Sequence, residues 1–283
     1  MKTFTNISSM RAACRAAKLE GKRLGFVPTM GALHEGHISL VRAARAQCDV
    51  VAASIFVNPT QFGPNEDLAS YPRNLERDSE LLKQEGVELL FAPTVEEIYP
   101  ARSVTWVTVE GLSDKLCGRS RPGHFRGVTT IVAKLFHIVE PDAAFFGQKD
   151  AAQLAIIRRM ARDLRFSVEI VSCPIVREPD GLAMSSRNAY LDPQQHKQAL
   201  VLYRALTTVK SAFDSGERRA QKLVAAGKQG FTQEPAVRLD YFEIVDPESL
   251  DPLENVSQGA LVAVAAFVGR TRLIDNVLLG QAS

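Results

Sequence analysis

Short apolar runs, separated by glycine, proline and polar stretches, set the plan of the chain. Leu24 to Val27 is apolar and stops at Pro28, which predicts a buried strand over 24–28. After the break at Gly31 the period changes. Ile38, Leu40, Val41 and Ala44 recur at helical spacing and predict a helix over 36–47. Val50 to Val57 is continuously apolar with β-branched residues, as in strands buried on both faces of a parallel sheet. The alternation continues with a helix over 74–85, a strand over 87–91 after Gly86, a helix over 127–139 and a strand over 143–146 ending at Gly147. A helix over 151–164 and a strand over 166–172 follow, and a helix over 9–19 precedes the series. Val104 to Val109 alternates and predicts a shorter, more exposed strand. Strands alternating with helices predict an α/β fold: a doubly wound, Rossmann-like parallel-sheet domain with ligands at the carboxyl ends of its strands.

The pattern changes after about residue 174. Helices are predicted over 193–213 and 216–229, then strands over 238–245, 260–268 and 272–279, with Gly269-Arg270 as a hairpin turn. That order predicts a smaller C-terminal α+β domain, and the division falls at 1–175 and 176–283. The polar stretch from Asn58 to Arg73 is long for a compact domain, a length typical of lids and binding loops. No repeat or low-complexity tract interrupts the plan.

Composition narrows the classes. The 283 residues suit one large domain or two smaller ones, and 46% of them are hydrophobic. The formal charge is +2, from 34 basic and 32 acidic residues, which gives no general pull toward nucleic acid or an anionic membrane. No run of about 18 apolar residues is present, and Met1 to Arg15 has no apolar core of a signal peptide. Cys14, Cys48, Cys117 and Cys173 are scattered, so a reduced, cytoplasmic setting is expected.

Candidate chemistry collects after the predicted strands. His34 and His37 flank Glu35-Gly36 where the helix over 36–47 begins. On a first turn that spacing puts both rings on one face, beside the free N–H groups and positive dipole end that seat phosphate. Gly36 lacks a Cβ, so a flat ligand could lie against the backbone there. The same pair would also suit a solvated surface or half a metal site, although no other Cys or His has ligand spacing. Gln61, after the strand over 50–57, can donate to and accept from a hydroxy acid, or simply face solvent. Gly147-Gln148-Lys149-Asp150, with Gln153 following, offers a turn, a phosphate-reaching ammonium and a helix cap that could also bind ribose. Met184-Ser185-Ser186-Arg187 offers a thioether for an adenine ring, two hydroxyls and a guanidinium, or it is a polar interdomain linker. Arg119, Arg121, His124 and Arg126 make a local positive patch that attracts an anion or faces a second subunit.

Taken together, these stretches resemble the pantothenate synthetase (pantoate–β-alanine ligase) family. The resemblance rests on PTMGALHEGH at 28–37, FVNPTQF at 56–62, RPGHFRGV at 121–128, FFGQKD at 145–150 and DGLAMSSRN at 180–188, with YFEIVD and TRLIDN near the end. It covers nearly the whole chain in order. It places the chain in the superfamily of adenylating enzymes with a HIGH motif. It implies ATP-dependent condensation of (R)-pantoate with β-alanine through pantoyl adenylate, releasing pyrophosphate and AMP. By the same resemblance ATP and Mg²⁺ are required, the metal riding on the ATP phosphates, and the protein is a cytoplasmic homodimer with no nucleic-acid or membrane partner.

Carried over residue by residue, the resemblance gives His34 and His37 the phosphates, with His37 as proton donor. Lys149, Ser185, Ser186 and Arg187 grip the phosphates and the developing charge, and these six are the catalytic set. Pro28, Thr29 and Met30 line the ATP site, and Gly147, Asp150, Val176 and Met184 hold adenosine. Gln61 and Gln153 bind pantoate. Residues 1–175 would hold nucleotide and pantoate, 176–283 would cover the ATP site, and the stretch over 62–73, opening at Gly63-Pro64-Asn65, would be part of a cover. Two departures from the family pattern are Gln148, often Glu there, and Ala152, often Gln. A nucleotidyltransferase would share H-x-G-H without two glutamines facing a hydroxy acid. An aminoacyl-tRNA synthetase would need a basic surface and an anticodon-binding part. A nucleotide sensor with a dead site would not keep the full polar set.

Overall fold

The apolar runs lie side by side in a six-stranded parallel sheet of order β1-β4-β3-β2-β5-β6. The computed structural model describes residues 1–64 and 66–280. The first part contains β1 (Lys2–Phe4), α1 (Ile7–Leu19), β2 (Leu24–Thr29), α2 (Glu35–Gln47), β3 (Val50–Ile55), α3 (Leu75–Gln84), β4 (Leu89–Phe91) and the single turn α4 (Val95–Ile98). It continues with the turn α5 (Cys117–Ser120), α6 (His124–Val139), β5 (Ala143–Gly147), α7 (Ala151–Asp163) and β6 (Glu169–Cys173). Successive residues of a strand face opposite sides. Phe26 therefore packs with α1, α6 and α7, and Val27 packs with α2 and α3, which gives helices on both faces. Among the described residues no helix is long and apolar enough to cross a membrane.

The second part contains α8 (Pro193–Asp214), α9 (Ala220–Thr232) and an antiparallel sheet of β7 (Val237–Val245), β8 (Ala260–Val268) and β9 (Thr271–Leu279). β8 reads ALVAVAAFV and is buried almost throughout, because both of its faces are covered. Val262, Val264 and Ala266 pack under α8 and α9, while Leu261, Ala263 and Ala265 join the core of the parallel sheet. One apolar cluster thus runs from the first sheet into the second.

Three expectations are corrected. The alternation from Val104 to Val109 forms no strand. The Val107 N–H donates to Thr130 Oγ1 (3.0 Å) and its carbonyl accepts from Thr129 Oγ1 (2.6 Å), so side chains of α6 satisfy the backbone that a ladder would have used. The second late helix starts at Ala220 rather than 216. Gly216 takes φ +102°, and the Glu217 carboxylate accepts from the N–H groups of Arg218 and Arg219 in a turn. β6 starts at Glu169, after a turn in which Arg165 has φ +57°. A three-residue strand, β1, pairs with β4 and was not expected.

The connection from β2 to α2 needs two consecutive left-handed residues, Gly31 (φ +82°) and Ala32 (φ +51°). The buried Asp78 of α3 holds them: its carboxylate accepts from Ala32 N (2.7 Å) and Leu33 N (3.0 Å). Asp78→Ala should therefore cost about 3 kcal/mol, the desolvation of two orphaned N–H groups and a vacated buried site. Denaturant unfolding measures this, and a variant within 0.5 kcal/mol of wild type, roughly the scatter of surface changes, would contradict it.

Candidate active site

Strand β2 lies between β3 and β5, the point where the strand order reverses. Loops leaving the carboxyl ends of β2 and β5 diverge there and open a crevice. It holds a cavity of about 240 Å³. Pro28, Thr29 and Met30 line it from the end of β2, His34 and His37 from the start of α2, and Gln61 from a turn after β3. Gly147, Lys149 and Asp150 line it from the end of β5, and Gln153 from α7. Val176, Met184, Ser185, Ser186 and Arg187 close it from the segment after β6. A second cavity of about 1120 Å³ opens between the two sheets, and Lys149, Gln153 and Arg187 face both.

The two histidines are not both on the first turn of α2. His34 is its N-cap, and the pair caps reciprocally: His34 Nδ1 accepts from Gly36 N (3.1 Å), and His37 Nδ1 accepts from His34 N (3.3 Å). A ring nitrogen that accepts from an N–H carries no proton, so each neutral ring bears its proton on Nε2. Burial, helped by the Lys149 ammonium, pushes His34 down to about 4. Burial, with His34 and Lys149 adding, pushes His37 down to about 3. Both rings are thus neutral donors at pH 7. Gly36 serves this cap rather than a flat ligand, since a Cβ there would sit 2.8 Å from His34 Cε1.

The other donors are held from outside the cavity. Arg187 donates to Asp67 through Nε (3.0 Å) and Nη2 (2.8 Å), and Arg121 donates to Glu66 through Nε and Nη2, both 2.6 Å. Residues of the stretch over 62–73 thus lie against two arginines of the site; Asn65 is outside the described residues. Ser185 Oγ accepts from Arg187 N (3.2 Å). Asp150 precedes α7 but its side chain makes no capping bond, and its carboxylate stands 3.9 Å from Lys149 Nζ.

Gln61 is buried and oriented. Its Oε1 accepts from Asn58 Nδ2 (2.9 Å), which leaves Nε2 facing Met30 Sδ at 3.0 Å. The Gln61 carbonyl accepts from His124 Nδ1 (2.8 Å), while His124 Nε2 accepts from Arg121 (3.0 Å). Burial beside Arg121 pushes His124 down to about 4. Asn58, Asp67 and Asp78 were not among the expected site residues, and His124 entered only as part of the basic stretch. The pattern did show a basic stretch at 119–126, but it is not an open patch. Arg121 pairs with Glu66, Arg119 pairs with Glu243, and Arg126 stacks 4.8 Å from the centre of Trp106. Away from the smaller cavity, Glu178, Asp180 and His196 bring ligand atoms within 4.8 Å of one another, a grouping that spacing alone did not reveal. His196 and Asp180 already hydrogen-bond at 2.8 Å.

The arrangement is a set of fixed donors: two Nε2–H groups, an ammonium, a guanidinium and two hydroxyls around a helix N-terminus. Such a set binds a polyanion and stabilises charge that develops on it.

A family model described as Pantoate-beta-alanine ligase matches residues 2–278. The chain is 60% identical over 282 residues to a pantothenate synthetase of Koribacter versatilis, covering 100% of this chain and 97% of that one. It superposes on the crystal structure of pantothenate synthetase from Thermus thermophilus with a TM-score of 0.93 at 50% identity, covering 98% and 99% of the two chains. It superposes on pantoate-beta-alanine ligase from Francisella tularensis, solved in complex with beta-gamma ATP and beta-alanine, with a TM-score of 0.80 at 34% identity, covering 98% and 97%.

The buried imidazoles carry a pH signature. Unfolded histidine titrates near 6.5, whereas His34, His37 and His124 stay neutral down to about 4, 3 and 4. Above the unfolded value neither state is protonated. As pH falls below it the unfolded chain binds protons that the folded chain refuses, so stability falls. Calorimetric unfolding at pH 5, in buffers of different ionisation enthalpy, should show proton uptake that drops by about one in His37→Asn. Equal uptake in the two proteins would contradict the neutral assignment.

Proposed function

The chain belongs to the pantoate-beta-alanine ligase family, and from that premise we propose that its cavity condenses (R)-pantoate with β-alanine at the expense of ATP. In the first step the pantoate carboxylate attacks the α-phosphorus. A carboxylate–phosphorus bond forms, the bond to the bridging oxygen breaks, and pyrophosphate leaves. In the second, the free amine of β-alanine attacks the acyl carbon of pantoyl adenylate. The C–N bond forms, the bond from the acyl carbon to the phosphate oxygen breaks, AMP leaves, and the amine's proton passes to solvent.

The first nucleophile is already ionised at neutral pH, so it needs no protein base. What it needs is alignment and stabilisation of charge on the α-phosphate and the departing pyrophosphate. His34, His37, Lys149, Ser185, Ser186 and Arg187 supply that as donors. In this reading His37 holds a hydrogen bond through Nε2–H and does not transfer a proton, since burial keeps its ring neutral over the working range. Pro28, Thr29 and Met30 support the nucleotide, Gly147, Asp150, Val176 and Met184 hold adenosine, and Gln61 and Gln153 hold pantoate. Asn58 Nδ2 takes one lone pair of Gln61 Oε1 and so fixes the amide, which turns Nε2–H toward pantoate. Arg187 leaves Asp67 when phosphate takes its place. Mg²⁺ would be held by the ATP phosphates, whose hard oxygens suit it, and would supply charge neutralisation there.

We assign residues 1–175 to the nucleotide- and pantoate-binding unit and 176–283 to the unit that covers ATP. The setting is cytoplasmic, consistent with four free cysteines, and the assembly is a homodimer.

The observation that carries this reading is the pair of locked Nε2–H donors at the N-terminus of α2, facing Lys149 across the crevice. Exchange of labelled pyrophosphate into ATP, with Mg²⁺ and without β-alanine, tests it. Exchange should require pantoate; exchange that ignores pantoate, or none at all, would overturn the substrate assignment. Gln61→Ala should raise the pantoate KM about tenfold or more, the cost of losing an oriented amide, with a smaller change for ATP. The reverse pattern would move Gln61 to the nucleotide.

A further inference from the structure

β9 carries two adjacent polar residues, Asp275 and Asn276, in an otherwise apolar interior, each only 3% exposed. Neither lies among the residues that would touch substrate in the reading above, on which this inference rests. Their partners are specific. Asn276 Nδ2 donates to two successive carbonyls, Gln148 O and Lys149 O, both at 2.9 Å. Its Oδ1 accepts from Gln148 Nε2 (3.2 Å), and Gln148 Oε1 in turn accepts from Ser172 Oγ (3.1 Å). Two carbonyl acceptors leave one orientation for this amide, with nitrogen toward the turn. Both Nδ2 donors are then used on the carbonyls of Gln148 and Lys149, and Oδ1 is used on the Gln148 side chain.

The neighbouring Asp275 holds the other phosphate-facing segment. It takes a bidentate ion pair from Arg177, at 2.6 and 3.0 Å, and Arg177 also donates to Gly181 O at 3.0 Å. Arg177 lies at the foot of the hairpin, bridged to Ala183, that leads into Met184 to Arg187. One peptide unit of β9 therefore sets the Lys149 turn and the Ser185–Arg187 segment at a fixed distance from each other.

We propose that Asn276 is a positioning residue for the reaction: it acts through the Gln148–Lys149 backbone to place the Lys149 ammonium against the phosphates. Small displacements of an aligned group are costly, and a misplacement of about 1 Å is worth up to about 10²-fold in rate. A side chain that acts only through Lys149 has no effect once Lys149 is gone.

The test is a double-mutant cycle on the holoprotein, read as pantoate-dependent pyrophosphate exchange at saturating ATP and pantoate. Asn276→Ala should lower the exchange rate about 10- to 100-fold with little change in the pantoate KM. In the Lys149→Ala background the same substitution should change the rate less than about threefold. The same fold-loss in both backgrounds, or no loss in either, would overturn the proposal. Should Asn276→Ala not fold, Asn276→Leu, of similar shape, removes both Nδ2 donors and is judged by the same criterion. Absence of exchange in the wild-type protein would instead remove the reading on which the proposal rests.

Discussion

Parallel neighbours whose connections run to opposite sides cannot keep their loops together, and this constraint opens the site. β2 pairs with β3 on one edge and β5 on the other. The chain leaving β2 turns to α2 on one face, and the chain leaving β5 turns to α7 on the other. Between the loops the backbone ends point into a gap that side chains do not fill. The tight β2–α2 connection, with two left-handed residues pinned by Asp78, aims the N-terminus of α2 at that gap. The reciprocal histidine cap follows from the same turn and decides the chemistry. Once both Nδ1 atoms accept from backbone N–H groups, the two rings that line the cavity carry their protons on Nε2.

The surrounding electrostatics are tuned by withholding charge as much as by supplying it. Two imidazoles stay neutral because they are buried beside an ammonium. The arginines nearest the cavity are neutralised by Glu66 and Asp67. The mutual repulsion of the cations is relieved by the stretch that lies over them. The shared apolar cluster joining the two sheets, and the paired contacts of Asp275 and Asn276, make the second unit part of the same frame.

How much of this could be read from the chain depends on how local each cause is. The strands and helices of the parallel sheet follow from period and length, and the two histidines, Lys149 and the serine pair could be placed at strand ends by order alone. The stretch over 104–109 misled because its alternation matches a strand while its backbone partners, Thr129 and Thr130, lie on a distant helix. The basic stretch over 119–126 shows the same distance effect: Glu243 and Glu66 pair with Arg119 and Arg121 from 124 and 55 residues away. Asp78 carries no local signature, and His124 and Asn276 stand in recognisable stretches that do not say which groups they hold. A polar residue in an apolar run is ambiguous until the tertiary fold shows which backbone groups it satisfies. The spacing of His34 and His37 suggested a shared face, but the hydrogen-bonding tautomer depends on Gly36 and the cap, which only the folded turn defines.

The central claim is that phosphate is met by neutral imidazoles held in one tautomer. Nitrogen-15 NMR of the histidine rings between pH 5 and 8 tests it most directly. The account predicts that the His34 and His37 Nδ1 resonances stay in the unprotonated, acceptor range, with Nε2 protonated, and that neither ring titrates. A proton on Nδ1 of either ring, or a titration near 6.5, would contradict it.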